Sequence, residues 1–190
     1  APSPQGGHPL ASRLADTYRE RALAGPILEV AAGSGRNTRT LLALGLQVVS
    51  TRDDEPITQL PGGRNSYAAA LSTHGYLHGT IAKLRAGLAE LHRVLRTGAP
   101  IAITLGSIAD ARFGFGTALD DNTFAPGDGD EAGIPHTYFD RDGVLELVPG
   151  LFVIESLEDV DVDAIVGRWA HNAKIGMRHW FVVARKAQVG

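Results

Sequence analysis

The run Pro26-Ile27-Leu28-Glu29-Val30-Ala31-Ala32 is short and largely apolar, and it passes through Gly33-Ser34-Gly35 into the helix-period segment "NTRTLLALG". An apolar run of this length without polar alternation reads as a strand buried on both faces, which requires a sheet covered by helices on both sides. The glycine turn adds direction. It sends the next helix back over the sheet, so that the first amides of that helix face the carboxyl edge of the strand.

The rest of the chain repeats the alternation. Before the strand, "LASRLADTYRERALAG" carries Leu10, Leu14, Tyr18 and Ala22 at near-helical spacing, preceded by Pro- and Gly-rich residues 1–9 that are expected to be loosely ordered. After it come a strand with an acidic end, "LQVVSTRDD", and a third strand, "SYAAALSTHGY". The helix "TIAKLRAGLAELHRVLRTG" follows, with Ile81, Leu84, Leu88, Leu91 and Leu95 in one stripe, Thr80 as its cap and Gly98 as its stop. "APIAITLGS" is another buried strand. A long glycine-rich loop runs from about Asp110 to Pro135, and "DRDGVLELVPG" reads as a short helix opened by Asp140 or Asp142. "LFVIESLEDVDV" and "RHWFVVARKA" close the chain as strands, antiparallel because no crossover helix is expected between them. The predicted class is α/β, a Rossmann-like doubly wound and mostly parallel sheet with a C-terminal antiparallel pair.

The 190 residues suit one domain spanning 1–190. With no cysteine, thiolate nucleophiles, thiolate metal sites and disulfides are excluded. A net charge of -3 offers no general attraction for nucleic acid or an anionic membrane. The opening "APSPQGGHP" lacks the basic and apolar regions of a signal peptide, and no run reaches the ~18 apolar residues of a membrane span, so a cytoplasmic protein is expected.

Read as a dinucleotide fingerprint, the glycine loop lacks its third small residue, since the register places Thr38 there. A pyrophosphate is thereby disfavoured, which leaves a different ligand or a tight strand-to-helix turn that holds none. The order "ILEVAAGSGRNT", an acid-tipped second strand, "YAAALSTHGYLHG", "LAELHRVLRTGAPIAITLGS" and "HWFVVARK" resembles a class I S-adenosylmethionine-dependent methyltransferase, of the small-molecule kind with tellurite- or thiopurine-methyltransferase-like domains. The resemblance covers most of residues 10–187 and implies S-adenosylmethionine as cofactor.

Carried over residue by residue, Glu29 takes the acid position of the cofactor loop, Ala31 stands for its first glycine, and Gly33 and Gly35 keep two others. Alanine at 31 is acceptable if that position needs no positive φ. Amides around Ser34, Gly35 and Asn37 would meet the cofactor carboxylate, and Glu29 its ammonium or merely nearby backbone. Ungapped counting puts Arg52 at the ribose position, whereas a one-residue bulge would put Asp53 there; Arg52 would instead favour an NADP-like ligand. Only "EPITQLPGGRN" separates Asp54 from the next strand, so the family's third strand and its helix are expected to be missing. The adenine pocket is then open, built by "ITQLPGG", or supplied by a second subunit.

Ser72 and His74 fall beside the sulfonium position. His74 and His78 are four apart, but Gly75 and Gly79 argue against a rigid helix and no third ligand is evident, so no metal is expected. The acids of the long loop do not have EF-hand spacing. His136 and then His78 are the candidate bases; Tyr138, Arg112, Phe113 and Phe115 are candidate acceptor contacts, as are Arg168, Trp169 and His171 near the last strand. The leading reading is methyl transfer to a small molecule, in a possible homodimer. A catalytically silent binding or dimerisation domain, and an NADP-dependent reductase, remain as alternatives, the latter without a Tyr-x-x-x-Lys pair.

Overall fold

The computed structural model describes residues 6–147, 149–165 and 176–188. Its elements in chain order are α1 (Pro9–Glu20), β1 (Ile27–Glu29), α2 (Arg36–Ala43), β2 (Val48–Ser50), β3 (Ala69–Ser72), α3 (Ile81–Val94), β4 (Pro100–Ser107), β5 (Thr117–Ala118), β6 (Thr123–Ala125), β7 (His136–Phe139), α4 (Arg141–Leu147), β8 (Phe152–Asp161) and β9 (Arg178–Lys186). The main sheet runs β2-β1-β3-β4-β9-β8, parallel from β2 to β4 and antiparallel through β9 and β8. This is the expected doubly wound arrangement with its antiparallel C-terminal pair.

Side chains alternate between the two faces. Ile27, Leu71, Ala102 and Phe181 pack on Leu10, Leu14 and Leu41 of α1 and α2. Leu28, Ala70, Ile101, Ile103 and Val182 pack on Leu84, Leu88 and Leu91 of α3 and on Val144 of α4. The α3 stripe is thus the core face that its spacing predicted, and the Thr80 hydroxyl caps it by accepting from the Lys83 amide. At α4 the cap is Asp140, whose Oδ1 accepts from the Gly143 amide at 2.7 Å.

Two local expectations are corrected. His8 and Pro9 are not loose: the His8 amide donates to Asn37 Oδ1 at 2.7 Å, and the His8 ring accepts from the Leu10 amide to cap α1. The segment after Asp110 is not simply a loop. It forms the antiparallel strands β5, β6 and β7, and β7 joins the end of β4 in parallel at Gly106–Tyr138 and Ser107–Phe139.

No strand–helix pair lies between β2 and β3, as the short segment implied. Among the described residues β2 pairs only with β1, which makes it an edge. "ITQLPGG" contributes to neither cavity at the carboxyl edge of the sheet. Instead Ile57 and Leu60 are each 4% exposed and sink into the α3 side of the core. Gly87 of α3 makes the room, because a Cβ there would stand 2.5 Å from Ile57 Cδ1. Among the described residues no helix is long and apolar enough to cross a membrane.

Ile57 is therefore part of the core packed against α3. Truncation to Ile57→Ala is expected to lower stability by about 2–4 kcal/mol, read as a lower urea midpoint with an unchanged slope.

Candidate active site

The turn from β1 to α2 is built on left-handed backbone: φ is 55° at Ala31, 56° at Gly33 and 76° at Gly35. Ala31 thus does adopt a positive φ, contrary to the condition under which its substitution was expected to be harmless; such a conformation costs an L-residue roughly 1–2 kcal/mol. The end of β2 holds it there. The Ala31 amide donates to Thr51 Oγ1 and the Ala32 amide to the Thr51 carbonyl, both at 2.9 Å. Next along the turn, the Gly33 amide donates to Asp53 Oδ1 at 3.0 Å.

This last bond turns Asp53, rather than Arg52, toward the loop. The β1–β2 ladder is regular through Glu29–Ser50, so a turn beyond the strand, rather than a bulge, brings Asp53 to the Gly33 loop. The Arg52 side chain is 75% exposed and pairs with Asp54 and Glu55. Asp53, not Arg52, therefore faces the Gly33 loop.

A cavity of about 820 Å³ opens at the carboxyl edge of β1, β3 and β4. One wall is the turn itself, with Ala31, Gly33, Ser34, Asn37 and Asp53, together with Arg36, which the sequence reading passed over although it stands inside the quoted motif. Arg36 is half-buried, and burial lowers its pKa against the opposing pull of Glu29. Asn37 fixes the wall by accepting from the His8 amide and donating to Thr73 Oγ1 at 3.0 Å. Gly35 lies on the far side of the turn, in a shallower depression of about 590 Å³ shared with Arg52 and Asp54.

Glu29 and Ser72 are not on the cavity wall. Glu29 is 1% exposed and accepts from Thr38 Oγ1; burial raises its pKa, and the bonds from Thr38 and Asn37 oppose that shift. Ser72 Oγ donates to the Val30 carbonyl at 2.8 Å and accepts from the Gly75 amide at 3.1 Å. Both brace the turn from behind.

The opposite wall carries imidazoles. His74 and His78 lie in turns after β3, ring centroids 4.5 Å apart, and His78 meets His136 edge-on at 4.7 Å. Glu131, one of the acids of the long loop, stands between the latter two: Oε1 is 3.1 Å from His78 Nε2 and Oε2 is 3.2 Å from His136 Nε2. Bonds from His136 and His78 hold its carboxyl well below the usual carboxylate range. Thr137 Oγ1 donates to the Gly79 carbonyl and the Gly79 amide to the Pro135 carbonyl, so the segments bearing His78 and His136 are tied by bonds independent of the rings.

Arg112 and Tyr138 also line the cavity, but Arg112 is committed to Asp110, with Nε and Nη2 donating to its two oxygens at 2.9 and 3.0 Å. Phe113 instead packs on Phe124 and Tyr138, and Phe115 is 71% exposed. Arg168, Trp169 and His171 lie outside the described residues. A further wall residue, His179, opens the quoted "HWFVVARK" but was given no role there: it is buried, and among the described residues its Nε2 has no partner. Burial also lowers the pKa of His74, with His78 adding to the effect.

The sequence matches no protein-family model and no curated protein. Solved structures do share its architecture. A 1,6-didemethyltoxoflavin-N1-methyltransferase from Burkholderia thailandensis, with bound 1,6-didemethyltoxoflavin and S-adenosylhomocysteine, superposes with a TM-score of 0.67 at 18% identity, covering 93% of this chain and 77% of that one. The fold is that of S-adenosylmethionine-dependent methyltransferases. A further such protein from Methanosarcina mazei gives 0.69 at 13% identity over 96% and 99% of the two chains. The CcbJ methyltransferase of Streptomyces caelestis gives 0.61 at 16% over 95% and 97%.

Two wall histidines make the fold sensitive to acid. Burial, with Arg36 and His179 nearby, lowers His8 from 6.5 to about 3, and burial, with Arg112 nearby, lowers His179 from 6.5 to about 4. Both rings stay neutral in the native state while the unfolded chain takes up protons below pH 6.5. Stability is therefore expected to be flat with respect to these groups above that pH. Below it, stability falls by up to about 1.4 kcal/mol per pH unit per histidine. Urea unfolding at pH 7.5, 6 and 5 measures the slope, and His179→Gln should make it shallower by about one proton.

Proposed function

We propose that the protein transfers a methyl group from S-adenosylmethionine to a small-molecule acceptor. The observation that carries this reading is one cavity with two chemically distinct walls. On one side a left-handed turn presents Arg36 and Asp53; on the other, His78, Glu131 and His136 converge. A volume of about 820 Å³ lies within the range of ligand sites, about 300–1,000 Å³. The named ligands of solved proteins with this fold, S-adenosylhomocysteine and sinefungin, support the cofactor assignment.

The residues present fit that cofactor. Arg36 and the amides of the turn suit a carboxylate. Asp53 suits a ribose diol: one of its oxygens is held by the Gly33 amide, and among the described residues the other accepts no hydrogen bond. Glu29 acts indirectly, by fixing the start of α2 through Thr38. Bound there, the cofactor supplies an electrophilic methyl group. The chain contributes alignment and exclusion of water, and for an acceptor that must lose a proton, His136 and His78 are the residues in place. Arg52, turned to solvent and paired with acids, lends no support to a 2′-phosphate ligand.

Isothermal titration with S-adenosylhomocysteine is expected to give a dissociation constant on the order of 10 μM. Gly33→Val, a β-branched residue at a φ of 56° with its Cβ 3.6 Å from Asp53 Oδ2, is expected to weaken binding by at least ~10-fold. Heat evolved with NADPH but none with S-adenosylhomocysteine or S-adenosylmethionine would remove the reading.

A further inference from the structure

We propose that His78, Glu131 and His136 bind a divalent transition metal of the zinc class, against the sequence-based expectation of none. The ligand atoms of all three lie within 4.8 Å of one another. Tetrahedral zinc with bonds of about 2.0–2.1 Å sets neighbouring donors about 3.3 Å apart. The separations from Glu131 to the two imidazoles, 3.1 and 3.2 Å, match that span.

Lone-pair accounting at His136 makes the stronger case. Its Nδ1 sits 2.8 Å from the Ile134 carbonyl, which can only accept, so Nδ1 carries the hydrogen. In the neutral ring Nε2 then presents a bare lone pair, and it faces a carboxylate oxygen at 3.2 Å. Two lone pairs at that distance need a cation between them, either a proton, with which the ring donates to Glu131, or a metal ion. A metal-binding histidine has this arrangement as a rule: the far nitrogen donates to a carbonyl, which fixes the tautomer and aims the near nitrogen at the ion.

The donors are also positioned in advance. Gly79 bonds to Pro135 and Thr137, which holds the turn after His78 against the start of β7 whether or not anything is bound. Two imidazoles and one carboxylate are a nitrogen-rich set, suited to zinc, cobalt or iron rather than to magnesium or calcium, which prefer oxygen. Three protein donors leave a coordination position open, as catalytic zinc sites do, and the cluster lies on the cavity wall.

The consequence for substrate class rests on the methyl-transfer reading. An ion here would hold an acceptor through an ionisable oxygen or sulfur, a phenol, enol or thiol, and would release its proton to solvent by lowering its pKa. His78 and His136 then serve as ligands, and proton release no longer needs a free imidazole.

The test uses full-length protein stripped of metal by a chelator and titrated with zinc chloride, then with cobalt(II) chloride as the spectroscopic probe. One equivalent of zinc is expected to bind, and cobalt(II) to give the intense visible bands of a four- or five-coordinate site. Glu131→Gln and His78→Gln should each weaken zinc binding at least ~10-fold and abolish those bands, with far-UV circular dichroism showing that the variant is folded; either folded variant decides. No zinc binding to the wild type, which would leave a shared proton as the bridging cation, overturns the proposal. So do unaltered affinity in the variants and weak cobalt bands of a hexa-aqua type. S-adenosylhomocysteine is titrated in parallel. Zinc binding without nucleoside binding would keep the metal site and remove methyl transfer, and the converse would remove the metal site alone.

Discussion

The bond from the Gly33 amide to Asp53 is the contact on which the site depends. It closes the left-handed turn after β1 against the segment that follows β2, and Thr51 anchors the same turn through Ala31 and Ala32. Each of these partners lies just beyond the neighbouring parallel strand, so the turn keeps its shape only while the β1–β2 register holds. That register also delivers Arg36 and Asn37 to the cavity, because α2 begins where the turn ends. Sheet pairing thereby becomes side-chain placement at the ligand edge.

Much of the architecture was legible because burial leaves a periodic trace. The strand before Gly33, the α3 stripe and the C-terminal pair all follow from apolar spacing, and the missing third strand follows from chain length alone. What escaped were features decided by tertiary contact. Nothing in "APSPQGGHP" announces that His8 will be buried against Asn37 and Phe181. Counting along a strand could not tell which of Arg52 and Asp53 faces the Gly33 loop, since a turn beyond the ladder orients both. Glu131 sits among loop acids and glycines that look solvated. It reaches the imidazoles only because β5, β6 and β7 fold the segment back across the end of β4, with strands too short to show alternation.

The opposed walls differ in how they are braced. Beside the turn, buried polar groups are satisfied in pairs: Glu29 with Thr38, Ser72 with Val30 and Gly75, Asn37 with His8 and Thr73. Across the cavity the His78–Glu131–His136 cluster concentrates donors with matching lone pairs, while His179 keeps a nitrogen without a partner among the described residues. Polar groups left in that condition inside a fold mark places where stability has been traded for ligand chemistry.

The short strand β2 has a consequence for how the molecule behaves in a crowded solution. Without a third strand beyond it, the sheet ends in an open row of backbone donors and acceptors, the kind of surface on which a second chain can add itself and continue into a fibre. Here the row is Val48–Ser50, and the chain then leaves the sheet through Arg52, Asp53, Asp54 and Glu55. An incoming strand would find little length to register against and a cluster of hydrated charges at its end, so the turn that carries Asp53 to the Gly33 loop also blunts the open edge of the sheet.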